Sequence, residues 1–100
     1  MIKLTDRAVL KIKSMLKEKN QKNHSIRIGA RGEEKCAMNF YIGIQKQPLP
    51  DDIVYDYQGI TVITDRVSET RMMNIELDYI EISHGSGFVF RNRSKSDLNE

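Results

Sequence analysis

The chain has 100 residues, 39% of them hydrophobic and 30% charged, with a formal net charge of +2 at pH 7. This supplies one modest core, includes no run of about 18 apolar residues that would span a membrane, and lacks the concentrated basic stripe that nucleic acid requires. A single cysteine excludes a disulfide framework and fits a reducing compartment; with no apolar leader before the first element, the expectation is a cytoplasmic protein.

In chain order, Leu4, Ala8, Val9, Ile12, Met15 and Leu16 recur at the 3.6-residue spacing of a helix with one apolar face. Thr5 offers its hydroxyl to an orphan amide of the first turn. Leu4 and Val9 stand where a hydrophobic staple forms, and Asp6 puts a negative charge at the positive end of the dipole. The helix is predicted from Asp6 to Glu18 or Lys19. Lys11, Lys13, Lys17, Lys19 and Lys22 crowd into the same stretch. They read as a solvated helix face, with Lys13 and Lys17 as candidates for docking an acidic partner. The polar run from Asn20 to Ser25, which includes His24, is the connection.

From Ile26 the period becomes 2. Ile26, Ile28 and Ala30 alternate with Arg27, Gly29 and Arg31, and Met38, Phe40, Ile42 and Ile44 alternate with Asn39, Tyr41, Gly43 and Gln45. Two strands with one buried face each are predicted, separated by the polar segment from Gly32 to Lys35. Cys36 falls at the junction, in phase with Met38 and Phe40. Pro48 and Pro50 end the pattern, since neither donates a ladder hydrogen bond. Residues 53–57 and 60–64 read as a hairpin about Gln58 and Gly59. Residues 67–74 are helix-like, with Val67 and Met72 expected inside. In residues 75–82, Ile75, Leu77 and Tyr79 fall on one face and Glu76, Asp78 and Ile80 on the other. His84 to Gly87 reads as a glycine turn, residues 88–90 as a last strand, and residues 94–100 as a frayed polar tail. The sum is a single domain over residues 1–93, α+β in class and β-dominated, with no βαβ rhythm.

Five stretches, in this order, carry a resemblance. They are Ile2-Lys3-Leu4-Thr5 with Ala8; Ile26-Arg27-Ile28-Gly29; Asp52-Ile53-Val54-Tyr55 with Gly59-Ile60-Thr61-Val62-Ile63-Thr64-Asp65; Leu77-Asp78-Tyr79; and Gly87-Phe88-Val89-Phe90-Arg91-Asn92. Together they resemble the A-type iron–sulfur carriers of the HesB/IscA/SufA family over almost the whole chain. The resemblance implies a HesB-like domain: an N-terminal amphipathic helix packed on two small mixed sheets of six or seven short strands, with a short second helix. It also implies a protein of iron–sulfur cluster biogenesis. Members hold iron or a cluster through one cysteine in a Gly-Gly-Cys-Ser-Gly loop and two in a C-terminal Cys-Gly-Cys, and pass it to apo-proteins. Clusters are held by soft thiolates, generally four each, so a dimer with two or three cysteines per chain encloses one.

This chain departs from the pattern at each of those points. Counted from Arg27, Lys35 stands at the first cysteine and Cys36 one place later, at the serine; Glu33 and Glu34 replace the paired glycines. The Cys-Gly-Cys positions fall at Asn99, at Glu100 and beyond. The usual three-cysteine hold is therefore not expected. Cys36, with His84 as a weaker second, is the candidate for contact with iron or a cluster; the segment Glu33, Glu34, Lys35 and Cys36, together with Lys13 and Lys17, is the candidate interaction surface. Protein partners are implied, either cluster-assembly components or apo-proteins, along with a homodimer, and neither nucleic acid nor membrane. No constellation suggests an enzyme: a Cys–His nucleophile pair needs an orienting base, and Gly85-Ser86-Gly87 opens a strand where a phosphate loop would open a helix. Two other readings stand beside this one. The first is a metal-free interaction module on the same fold. The second is a thiol redox protein in which Lys35 and Arg31 favour the Cys36 thiolate.

Overall fold

The computed structural model describes residues 2–21, 23–31 and 39–92. Among them the chain forms β1 (Lys3–Leu4), α1 (Asp6–Glu18), β2 (Ser25–Arg31), β3 (Asn39–Gln45), β4 (Ile53–Tyr57), β5 (Ile60–Thr64), α2 (Arg66–Arg71), β6 (Ile75–Ile82) and β7 (Gly85–Asn92). The strands make two sheets, ordered β1-β6-β7 and β3-β2-β5-β4. Both are mixed: β1 runs parallel to β6 and β2 parallel to β5, while the other pairs are antiparallel. Glu33, Glu34, Lys35, Cys36 and the predicted tail lie outside the described residues.

Helix α1 follows from its local chemistry. The Thr5 hydroxyl accepts the amide of Ala8 at 3.2 Å, Leu4 and Val9 are both buried, and Ala8, Ile12 and Leu16 complete the stripe that faces the sheets. Strand β1 is not predicted by the pattern, because two residues are too short to show a period. It exists because Leu4 pairs beside Leu77. The β4–β5 turn has Gln58 at φ 50° and Gly59 at φ 92°, the two positive φ values of a tight primed hairpin turn. On β2, Gly29 stands opposite Tyr41. A Cβ at Gly29 would collide with the Tyr41 hydroxyl, so the missing side chain lets the ring lie on the strand, with the Arg31 guanidinium 4.6 Å above it.

Two expectations need correction, and a third needs a cause. Val67 is 60% exposed and Met72 fully buried. Five residues apart, they sit about 140° apart around a helix, whereas Ser68, one turn from Met72, takes the inward place. Asp78 shares the face of Glu76, opposite Leu77, as the alternation has it, and Arg91 contacts both acids there. It is nevertheless buried, because Thr5, Arg7 and Arg91 close over its carboxylate. The glycine turn shrinks to Ser83 and His84, and β7 begins at Gly85, because Gly85, Ser86 and Gly87 pair with Ile82, Glu81 and Ile80.

Candidate functional site

Two ends of β2 gather the residues of interest. At its C-terminal end, Arg31 pairs with Asn39 across the base of residues 32–38. One position further into β3, the Phe40 ring stacks on Phe90 of β7, with centroids 4.9 Å apart and planes 17° apart, the offset arrangement aromatic pairs prefer. Phe90 is two residues before Asn92, after which residues 93–100 follow. The two sheets thus meet where the Cys36 segment and the C-terminal segment leave them.

Asp78 fixes this edge. It accepts hydrogen bonds from the Thr5 hydroxyl at 2.6 Å, the Tyr79 amide at 2.8 Å, Arg7 through Nε and Nη2, and Arg91 Nη1 at 2.6 Å. The hydrogen bond from Thr5, then those from Arg91 and Arg7, outweigh the burial penalty and hold the carboxyl well below the usual carboxylate range. Arg91 is the residue next to Asn92, so the end of β7 is pinned to the start of α1.

At the N-terminal end of β2, the other predicted residues come together. Lys13 and Lys17, one turn apart on α1, line a groove of about 490 Å³ with Leu16, Asn23, His24, Gly59, Ile60 and Thr61. Both lysines are exposed. The His24 Nδ1 atom is buried and has no hydrogen-bond partner among the described residues. His84 is exposed in the β6–β7 turn, six residues along β7 from Phe90, roughly 20 Å at strand rise. Among the described residues, no three His, Cys, Asp or Glu side chains converge as a metal site, and no helix is long and apolar enough to cross a membrane.

Lys13, Lys17 and His24 are each visible in the sequence, but the turn that faces them is not, since Gly59 to Thr61 reaches the helix only through the long-range pairing of β5 with β2. The Asp78 cluster is likewise missed by sequence reasoning. Strand β6 carries Glu76 and Glu81 besides Asp78 among five apolar residues, so nothing in its pattern singles out Asp78.

The chain matches the family described as iron-sulphur cluster biosynthesis over residues 1–97. It is 32% identical over 91 residues to the protein SufA of Bacillus subtilis, covering 91% of this chain and 76% of that one. Among solved structures it resembles a crystal structure of IscA with the [2Fe-2S] cluster, at TM-score 0.76 and 22% identity, covering 92% of this chain and 85% of that one. It also resembles Escherichia coli SufA, at TM-score 0.77 and 17% identity, covering 93% and 81%. These last two likenesses establish the α+β fold expected from the sequence.

Proposed function

This chain belongs to the iron-sulphur cluster biosynthesis family, and from that membership we propose how it serves: as a non-enzymatic accessory of cluster assembly that acts through partner proteins. The single thiol carries this reading. A cluster takes about four soft ligands; one chain offers Cys36 alone, and a homodimer offers two such thiols. The residues present do not fit the family's three-cysteine hold, so the cluster is cargo bound by a partner's thiolates. The Phe40–Phe90 stack supports the place of contact, because it joins the bases of residues 32–38 and 93–100 at one edge. Glu33, Glu34, Lys35 and Cys36 then meet the partner, an assembly component or an apo-protein, in the cytoplasm.

Anaerobic purification followed by reconstitution with ferrous iron and sulfide tests this. The expected result is substoichiometric iron and acid-labile sulfide, the same in the native chain and in Cys36→Ser. A coloured, stoichiometric product that disappears in Cys36→Ser would overturn the reading and make a Cys36 dimer the carrier. The groove beside His24 favours a second reading, a metal-free interaction module; co-purification of cluster-assembly proteins separates it from the first.

A further inference from the structure

The groove between the C-terminal half of α1 and the β4–β5 turn has a composition that the family reading leaves unused. Among the described residues its lining contributes two ammonium groups, one imidazole and no carboxylate. Neither Lys13 nor Lys17 forms an ion pair among the described residues. The nearby acids are engaged or displaced: Glu18 accepts a hydrogen bond from Ser14, Asp6 accepts one from Gln58, and Asp56, across the hairpin from Thr61, does not line the groove. Lys13 Nζ stands 3.5 Å from where a Gly59 Cβ would be, so its ammonium lies over the turn. Below the cations, Leu16 and Ile60 form an apolar floor.

We propose that this groove docks an extended segment of a partner protein in which carboxylate and apolar side chains alternate. The spacing suits it. Lys13 and Lys17 are about 6 Å apart at i,i+4, and an extended chain returns side chains to one face every two residues, about 6.6 Å apart. Alternate side chains would meet the lysines, and those between them, on the opposite face of the segment, the wall formed by Gly59 to Thr61. The volume is in the range of pockets that enclose a small ligand. An inorganic anion would find no arginine fork here and would leave the apolar floor unused.

The surrounding field favours the same occupant. Residues 1–31 carry nine Lys and Arg against two Asp and Glu; Arg7 and Arg27 are neutralised by Asp78 and Asp52, which leaves the lysines of α1 as the cationic face that steers an acidic segment. The groove lies at the start of β2, and the Cys36 segment leaves from its end, roughly 20 Å away. Docking here is therefore independent of whether Cys36 meets a cluster.

Fluorescence anisotropy with a labelled peptide of alternating glutamate and leucine, against one of alternating lysine and leucine, tests the proposal at low salt. The expected result is binding of the acidic peptide only. Affinity should fall about tenfold or more in Lys13→Glu/Lys17→Glu, stay within about twofold in Lys13→Arg/Lys17→Arg, and be unchanged in Arg66→Glu, with weaker binding as salt rises. Circular dichroism melts verify that the exposed substitutions leave the fold intact. Equal affinity in the charge-reversed variant, indifference to peptide charge, or displacement by inorganic phosphate at the peptide's own concentration would overturn it. So would a dimer in sedimentation that the double reversal dissolves, because the groove would then be filled by a second copy.

Discussion

Asp78 on the three-stranded sheet and Asp52 beside the four-stranded one are both held by arginine, yet they join very different parts of the chain. Asp78 gathers Thr5 and Arg7 from the beginning of α1 and Arg91 from the end of β7, partners 73, 71 and 13 positions away. Asp52 takes Arg27 in a two-pronged grip at 2.7 and 3.0 Å and the Leu49 amide at 2.7 Å. Its effect is local: it shapes the Pro48–Pro50 connection against β2. The same ion chemistry closes the architecture in one case and trims a loop in the other. Only the first bears on the edge where residues 93–100 begin.

The sharpest way to break this contrast is to remove each carboxylate in turn. Asp78→Ala should cost about 2 kcal/mol of unfolding free energy. That is below the full cost of a broken buried pair, because Arg7 and Arg91 are 66% and 45% exposed and regain water. Asp52→Ala should cost less. Urea denaturation of both measures the difference, and equal losses would erase the distinction between closing the fold and shaping a loop.

Acid titration of stability is a second probe. Both carboxyls are held below their ordinary range, Asp78 by Thr5 and then its two arginines, Asp52 by Arg27 and then the Leu49 amide. A carboxyl whose folded pKa is depressed contributes stability that is complete above its unfolded pKa, about 3.9, and is lost as pH falls through the folded value. The native chain should therefore lose stability as pH drops below about 4. Asp78→Asn should flatten that descent strongly and Asp52→Asn weakly. The smallest effect concerns the neighbour of the second cluster. The Tyr41 ring lies under the Arg31 guanidinium at 4.6 Å, so Tyr41→Ala should cost about 0.5–1 kcal/mol from that contact while leaving the Asp78-dependent acid limb unchanged.

How far the sequence revealed all this depended on range. The span and cap of α1, the hairpin about Gln58 and Gly59, and the burial of Met72 were legible because each is decided within a few residues. The face of Asp78 follows from the period of 2, but its burial does not, because the side chains that cover it come from Thr5, Arg7 and Arg91, as many as 73 positions away. Val67 was misplaced because a six-residue helix offers too little pattern to fix its inward side. Gly85 to Gly87 looked like a turn by composition, but pairing with β6 drew them into a strand. Of the site, the lysines were legible as an exposed pair one helical turn apart. The opposite wall was not, because it arrives through a parallel pairing of Ile26 with Val62, 36 positions away in the chain.

The pairing of Lys3 and Leu4 with Glu76 and Leu77, reinforced by the Thr5 amide donating to the Leu77 carbonyl at 3.0 Å, sets a timetable for synthesis. The first helix leaves the ribosome with a greasy stripe that β2 and β5 cover in part, but the strand that pairs with Lys3 and Leu4 is translated only in the last quarter of the chain. At usual elongation speeds that interval is roughly 4 to 15 seconds, during which the start of the chain waits for its own strand partner.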